Sequence, residues 1–290
     1  MLTGSSVLHV NQDIGKCFQT DHLAGYYNNL TEKVTMQPEL LDGDLLPQIA
    51  TPDNKSIYFP VAVFQYGLGA YDLYIQTHKE KYLTKFQQCV EWTLTQQEEA
   101  GSWKNFSHET PEFPYGAMAQ GEGASLLLRN YVMTGDNRCL EAAKRAIDFM
   151  LLSVEQGGTT MYLGKDVILL EYTNKPAVMN GWIFAWWGLY DYVLVTEERG
   201  HYRTILYESL QALEDRLSLF DKHYWSMYDL NDHIASPFYH HLHIAQMQAM
   251  YQLTGHSVFN DYSMHWDHCE KNRIYKLRAF LVKAWQKICE

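Results

Sequence analysis

A tyrosine–threonine motif recurs along this chain at nearly even spacing. Tyr74–Thr77, Tyr131–Thr134 and Tyr251–Thr254 share the pattern Y-x-x-T, and Tyr192–Thr196 is the same pattern with one residue inserted. The four threonines lie 57, 62 and 58 residues apart, and each ends an apolar run that is followed by a second periodic run. A repeat of this length predicts stacked helical hairpins, because one hairpin cannot bury its apolar face alone.

The repeat divides most of the chain into four predicted hairpins and a final amphipathic helix. The first helix of each hairpin is apolar on all sides, which is typical of a buried helix, whereas the second helix is amphipathic. An inner and an outer ring of helices follow from this difference. We therefore predict an all-α fold, an incomplete α/α toroid of four to five hairpins, with units at about 60–97, 115–153, 177–219 and 239–269 and a last helix at 273–288.

Residues 1–59 have a different character from the rest. Gly, Pro and Asn separate short β-prone pieces such as Lys33–Met36, which predicts a small irregular, β-containing N-terminal arm with one hairpin. The repeats then run without a linker-like break, so we expect a single toroid catalytic domain over residues 60–290.

Three long links join the hairpins, at about 98–114, 154–176 and 220–238. Loops of this length in a compact domain are usually functional. Each link leads into an inner helix, so all three are expected at one end of the toroid. In the second link two β-prone runs flank Gly164–Asp166, which predicts a β-hairpin over the cleft.

Charge and cysteine content exclude several functions. A net charge of −11 argues against a nucleic-acid partner. The five cysteines are scattered without a C-x-x-C pair, so neither a disulfide framework nor a zinc site is predicted, and reduced thiols fit a cytoplasmic protein. No signal-peptide pattern and no long apolar run is visible, so no membrane association is expected. A homodimer remains open.

Polar and aromatic residues gather in the links and in the first turns of the inner helices. Asn180 and Tyr239 occupy the same repeat position, 12 residues before Tyr192 and Tyr251. Gln120 and Asn180 could instead bond helix ends, and Tyr228 could be packing alone. The histidines at 240, 241 and 243 resemble metal ligands, but no carboxylate or cysteine has matching spacing, so no metal is predicted. No nucleotide fingerprint or nucleophile elbow occurs, and no cofactor is expected.

Eight short motifs then occur in an order that resembles a known family. They are similar to the C-terminal catalytic domain of the D-glucuronyl C5-epimerases, which act on heparosan and heparan-sulfate precursors, over about residues 57–270. The motifs are Tyr58–Pro60, Gln65–Leu68, Ala117–Gly121, Glu171–Tyr172, Asn180–Gly181, Gly188–Asp191, Tyr228–Leu230 and Tyr239–Ile244.

The resemblance implies an α/α toroid and a catalytic role for Tyr239, Glu171, Tyr172 and Tyr228. The family motif at Tyr239 continues as Tyr-His-Thr-Thr-His-Ile, and here its two middle residues are His241 and Leu242. The animal enzymes also insert a β-rich domain between the Gln65–Leu68 helix and the Ala117–Gly121 helix, and this sequence lacks that insertion.

The implied reaction inverts C5 of a glucuronic acid residue within a polysaccharide. Tyr239 is expected to transfer a proton on one face and Glu171 or Tyr172 on the other, while Tyr228 supports the substrate or joins the relay. The substrate-binding predictions have two parts. Groups expected to neutralise the substrate carboxylate are Lys165, Arg129, His240 and His243. Groups expected to hold sugar hydroxyls and a ring face are Gln120, Asn180 and Trp103.

Two other functions stay open at this point. A uronate polysaccharide lyase or an unsaturated glucuronyl hydrolase would share the helical fold and the anionic sugar. A non-catalytic glycan-binding protein would use the same aromatic residues only to hold sugar.

Overall fold

The computed structural model describes residues 10–51, 55–197 and 199–289. Within these ranges the chain is mainly helical and contains two small antiparallel sheets. The predicted all-α class is therefore confirmed. Parts of the predicted N-terminal arm, residues 1–9 and 52–54, lie outside the described residues.

The N-terminal arm contains one short helix, α1 (Thr31–Thr35), and one sheet of two short strands, β1 (Ile49–Ala50) and β2 (Ser56–Ile57). The β-prone prediction for Lys33–Met36 is wrong, because most of this segment belongs to α1. Asn29 Oδ1 accepts hydrogen bonds from the backbone N–H and the hydroxyl of Thr31, which stabilises the start of this turn.

Four helical hairpins follow the arm, and a tenth helix follows them. Within the described ranges no helix has both the length and the apolar character needed to cross a membrane. The hairpins are α2 (Pro60–Thr77) with α3 (Glu80–Gln96), α4 (Ala117–Thr134) with α5 (Asn137–Leu151), α6 (Met179–Thr196) with α7 (His201–Arg216), and α8 (Pro237–Thr254) with α9 (Ser257–Lys271). The last helix, α10, spans Arg273–Cys289.

The repeated threonine ends each inner helix by the same chemistry. The hydroxyls of Thr77, Thr134, Thr196 and Thr254 each donate a hydrogen bond of 2.6 to 2.7 Å to the carbonyl four residues earlier. The next residue is left-handed in every case, with φ between 52° and 75°. After Thr134 and Thr254 that residue is glycine, which adopts this conformation without strain. The periodic motif therefore marks helix ends.

The inner helices form a row in which α2 packs against α4, α4 against α6, and α6 against α8. The closest approach joins α4 and α6. A Cβ at Gly188 would lie 2.3 Å from the Gly121 carbonyl oxygen, and a Cβ at Gly121 would lie 2.6 Å from the Ala185 Cα. These small residues therefore set the spacing of the two central helices.

The predicted β-hairpin in the second link is present but lies elsewhere than expected. Strands β3 (Thr160–Leu163) and β4 (Asp166–Leu169) pair in antiparallel register. Strand β4 packs against the outer helix α7 and against α6. The apolar residues of β4, Val167, Ile168 and Leu169, are all buried there. The hairpin therefore extends the wall on the outer side of the helix row and does not cover the cleft.

Candidate active site

A cavity of about 220 Å³ lies where the long links meet the starts of the inner helices. The arm, the helices α2, α4, α6 and α8, and the first two links all contribute to its wall. Apolar rings, among them Phe59, Phe106 and Phe238, form part of the lining. The polar lining residues are Gln12, Gln65, Asn105, Glu109, Glu171, Tyr172, Asn180 and Tyr239.

Glu171 is held between the starts of two inner helices by two glycines. Gly116 directly precedes α4, and a Cβ there would lie 2.1 Å from the Glu171 carbonyl oxygen. Gly181 lies in the first turn of α6, and a Cβ there would lie 2.2 Å from Glu171 Oε2. Each glycine permits a close approach that a larger residue would block. The Oε2 atom is buried and makes no hydrogen bond to the described residues.

Burial raises the pKa of Glu171 to about 8, although the positive charge of Lys175 acts in the opposite direction. An ordinary glutamate has a pKa of about 4.3. A pKa of about 8 leaves most of this carboxyl group protonated at pH 7, and a small change in pH or charge releases the proton. Such a group can donate a proton or accept one, which is the property that general acid–base catalysis requires.

Three tyrosine side chains meet beside Glu171. The Tyr228 and Tyr239 ring centres lie 4.8 Å apart, and the Tyr172 ring stacks on Phe106 with 4.3 Å between centres. Tyr228 makes side-chain hydrogen bonds to Tyr172 and to Tyr239. Tyr172 and Tyr239 line the cavity, and Tyr228 stands behind them. The hydroxyls thus form a chain whose two ends reach the cavity.

Burial raises the pKa of all three tyrosines, and the negative charge of Glu171 raises it further. The repulsion between Glu171 and a tyrosinate disappears when the carboxyl group holds a proton. Ionisation of a tyrosine here is therefore coupled to protonation of Glu171. Tyr239 also lies in the first turn of α8, where the helix dipole favours negative charge.

Besides Glu171, two lining residues present oxygen atoms that have no hydrogen-bond partner in the described part of the chain. Asn180 Oδ1 and Gln12 Oε1 are buried and accept no hydrogen bond from the described residues. Asn105 uses its own Oδ1 to accept a bond from the Val61 N–H at the start of α2, so its amide N–H groups remain for the cavity that it lines. Buried polar atoms normally have partners, so these groups are suited to bind a polar ligand such as a hydroxylated sugar.

A family comparison covers most of this site. Residues 111–268 match the model of the family described as D-glucuronyl C5-epimerase C-terminus. The chain belongs to this family. The matched stretch contains Glu171, Tyr172, Tyr228 and Tyr239, whereas the lining residues Gln12, Gln65 and Asn105 precede it.

Two relatives give the extent of the similarity. An uncharacterised protein of Methanocaldococcus jannaschii is 33% identical over 158 residues, which is 52% of this chain and 51% of the relative. A D-glucuronyl C5-epimerase of Caenorhabditis elegans is 25% identical over 182 residues, which is 56% of this chain and 29% of the relative. The matched stretch thus spans about half of the first relative and less than a third of the second.

The structure explains Gln120 and Trp103 without a sugar, which corrects the prediction that they contact one. Both side chains are buried in the wall. Gln120 Oε1 accepts a bond from the Trp103 N–H, and Gln120 Nε2 donates to the Trp103 and Gly116 carbonyls. The Trp103 indole N–H donates to the Thr93 carbonyl. Gln120 therefore holds the first link against the start of α4. This is the alternative role, bonding a helix end, that the sequence left open.

Arg129 is also away from the cavity. It is fully buried and pairs with Asp191 at 2.7 Å. Its second terminal nitrogen donates to the Gly25 carbonyl, and its guanidinium lies 5.1 Å from the centre of the Tyr26 ring. The expectation that Arg129 neutralises a substrate carboxylate is corrected, because this charge is already paired and anchors the N-terminal arm to α4 and α6.

His240 and His243 contact Ser226 and not the cavity. The Ser226 N–H donates to His240 Nδ1, and His240 Nε2 donates to the Trp266 carbonyl. Ser226 Oγ lies 2.8 Å from His240 Nδ1 and 2.9 Å from His243 Nδ1. Burial lowers the pKa of His240 to about 4 and also lowers that of His243, so both rings are neutral at pH 7. Neutral rings cannot balance a carboxylate charge, which corrects that prediction.

These two histidines instead fix the relative position of two tyrosines. Ser226 is two residues before Tyr228, and His240 directly follows Tyr239. The bonds between Ser226 and the imidazoles therefore hold the segment that carries Tyr228 against the helix that carries Tyr239. Across the described ranges, no group of three or more His, Cys, Asp or Glu residues is arranged to hold a metal ion.

Lys165 lies in the turn of the β3–β4 hairpin, beside Tyr207 and Glu208 of α7, where it does not line the cavity. Lys175, which the sequence did not single out, is the better placed cation. Its Nζ lies 4.3 Å from the centre of the Tyr172 ring, and its charge lowers the pKa of Glu171. Only its position four residues after Glu171 could have indicated this role.

Proposed function

We propose that this protein epimerises D-glucuronic acid residues to L-iduronic acid residues at C5, within a heparosan-like polysaccharide. The observation that carries the proposal is the convergence of Glu171, Tyr172 and Tyr239 on one cavity, with Tyr228 linking the two tyrosines behind it. Membership of the epimerase family supports the reaction type, and the name of the C. elegans relative supports the glucuronyl unit.

The reaction sets three physical requirements. The C5 proton is α to a carboxylate and is very weakly acidic, so negative charge accumulates on the carboxylate as the proton leaves. A base must take this proton on one face of the ring, and an acid must deliver a proton to the other face. Groups that stabilise the accumulating charge must already be in place.

In this proposal the tyrosine chain supplies both the base and the acid. Tyr239 and Tyr172 both line the cavity, and Tyr228 links them. In our mechanism the C5–H bond breaks, its proton moves to one tyrosinate oxygen and its electron pair moves to the carboxylate. The opposite tyrosine then gives its proton to C5. A shift of protons along the hydroxyl chain, through Tyr228, restores the starting state, and no atom or electron is gained or lost.

Glu171 supplies the ionisation that the chain needs. Its carboxylate form accepts a proton from the tyrosine chain, which creates a tyrosinate next to a neutral acid. The raised pKa of Glu171 makes this carboxylate a stronger base than an ordinary glutamate, which favours the exchange. The neutral Glu171 then has an O–H group that donates to the substrate carboxylate. Lys175 adds a positive charge on the same side of the cavity.

The remaining polar groups would orient the sugar. Asn180 and Gln12 present oxygen atoms that accept bonds from hydroxyl groups, and Asn105 presents N–H groups that donate to ring or hydroxyl oxygens. Aromatic rings of the lining offer apolar faces to the C–H side of a pyranose.

The deciding experiment is incubation with heparosan in deuterated water, followed by proton NMR. We expect loss of the H5 signal of glucuronic acid and new signals of iduronic acid. A product that absorbs in the ultraviolet would show elimination of the 4-substituent, and the protein would then be a lyase. Unchanged H5 with every uronic-acid polysaccharide tested, despite measurable binding, would overturn the proposal in favour of a glycan-binding protein.

A further inference from the structure

The terminal helix α10 has two faces of different kinds. Its inner face packs on the protein, because Ala279 is buried and Gln286 bonds the backbone of Asp232 and Ile234. Arg278, at the edge between the two faces, places its guanidinium 4.0 Å from the centre of the Tyr224 ring. These contacts fix how the helix is rotated about its axis. The opposite face is therefore held toward solvent.

The outer face of α10 is apolar along its whole length. Five of its side chains are between 59% and 77% exposed, namely Ile274, Leu277, Leu281, Trp285 and Ile288. Their spacing of three or four residues places them on one stripe of a helix. At a rise of about 1.5 Å per residue this stripe is about 21 Å long. An exposed apolar surface of this extent marks an interaction site.

The charges on α10 identify the kind of partner. The helix contains Arg273, Lys276, Arg278, Lys283 and Lys287 and no acidic residue, in a chain whose net charge is −11. On a helical projection Arg273 and Lys287 lie on one side of the apolar stripe, and Arg278 lies on the other. An apolar stripe with cations along both borders is the pattern of a helix that lies in a bilayer interface.

We propose that α10 docks in the plane of an anionic lipid surface. The apolar stripe would enter the boundary between headgroups and acyl chains, with Trp285 at the level that tryptophan prefers. The bordering cations would contact lipid phosphates. A second copy of the chain fits less well, because two α10 helices packed stripe to stripe would place rows of like charges beside each other.

The test is flotation of the full chain with vesicles of phosphatidylcholine, with and without phosphatidylglycerol. One variant, Leu281→Glu with Trp285→Glu, breaks the stripe, and a second, Arg273→Glu with Lys287→Glu, reverses two border charges. Leu219→Glu is a matched control, since Leu219 and Leu281 are both 59% exposed. Lys81→Glu on α3 is the matched charge control, because Lys81 is exposed on another helix.

We expect the wild-type protein and both controls to float with the anionic vesicles and to be released when salt rises from about 0.1 M to about 0.5 M. Each α10 variant should bind on the order of tenfold more weakly or not at all. Circular dichroism confirms that each variant is folded.

Three results would overturn this inference. The first is equal flotation of the wild type and the α10 variants, and the second is no flotation with anionic vesicles. The third is a dimer in sedimentation equilibrium that Leu281→Glu with Trp285→Glu abolishes, without vesicle binding, which would make the stripe a contact between copies. None of these results bears on the epimerase proposal, whose readout is exchange at C5.

Discussion

Gly181 leaves the space that the Glu171 carboxyl group occupies: a Cβ at this position would lie 2.2 Å from Glu171 Oε2. A Cβ there would also lie 2.6 Å from the Glu171 Cβ, so Gly181→Ala should displace the whole Glu171 side chain while leaving α6 helical. We expect exchange at C5 to fall by on the order of a hundredfold, the effect of a misplacement of about 1 Å. The assay is H5 exchange in deuterated water. In a Glu171→Gln background the same substitution should slow exchange no further, and an additive loss would show that Gly181 acts elsewhere.

Tyr239→Phe removes one hydroxyl of the proton chain and keeps the ring that packs on Tyr228 and Phe238. We expect exchange at C5 to fall by about 10² to 10⁴-fold, the contribution of a positioned acid–base group, with an unchanged melting temperature. Tyr251→Phe is the matched control on the same helix, since Tyr251 is exposed at its far end. Full activity of Tyr239→Phe would exclude Tyr239 as a proton-transfer group.

Lys175→Met should weaken the use of an anionic substrate, because it removes the cation beside Tyr172 and Glu171. We expect kcat/KM to fall by on the order of tenfold, with a smaller loss at high salt, where the wild-type charge is screened as well. Lys165→Met is the control, because Lys165 lies on the outer hairpin. If Lys165→Met has the larger effect, the binding surface extends over the hairpin as the sequence first suggested.

Ser226→Ala removes the hydroxyl between His240 and His243. The buried Nδ1 of His243 would lose its partner, so we expect the free energy of unfolding to fall by about 1–3 kcal/mol. Exchange at C5 should fall too, because Tyr228 is no longer fixed against Tyr239. Urea unfolding and the exchange assay measure the two effects, with Ser218→Ala on the exposed surface as the reference. Unaltered exchange together with reduced stability would mean that the clamp only stabilises the fold.

Glu122→Gln should change how stability depends on pH. Burial raises the pKa of Glu122 to about 8, so the native state retains a proton that the unfolded chain releases above about pH 4.3. The free energy of unfolding of the wild type therefore falls as pH rises from about 4.3 to about 8. The glutamine variant lacks this decrease, because its side chain does not ionise. We expect the stability difference to grow by about 2–4 kcal/mol in favour of the variant across this window. Denaturant unfolding at pH 5 and pH 8 measures it, with the exposed Glu141→Gln as control; parallel profiles would contradict it.

The helical hairpins could be predicted because their signal is local. Thr77 and its three counterparts bond a carbonyl only four residues away, so the chain itself carries the period. Tyr239 could be placed at the cleft by reasoning about helix starts, and Glu171 by its position in a long link between helices. The prediction for Arg129 was wrong, although its spacing along the sequence argues against it. Arg129 lies 12 residues after Ala117, which is about 18 Å along α4 from the end where the cavity lies.

Other parts of the site depend on contacts that no local pattern encodes. His240 and His243 look like ionisable ligands, and only the position of Ser226 on a distant loop shows that both rings are buried and neutral. Gln12 comes from a segment with no periodic signal, and Lys175 from a loop whose course is set by Gly116 and Gly181. Residue type indicates which side chains can take part in catalysis. The direction in which each side chain points is decided by long-range packing.

The N-terminal arm and the last inner helix both line the cavity, and this affects how the active protein is synthesised. Gln12 lies at the cavity with Tyr239, and the neighbouring Asp13 accepts a bond of 2.7 Å from His241. Synthesis must therefore pass Tyr239 before the binding site can exist, and shorter partial products lack part of its wall. Engineering that removes Gln12 and its neighbours would take away another part of that wall.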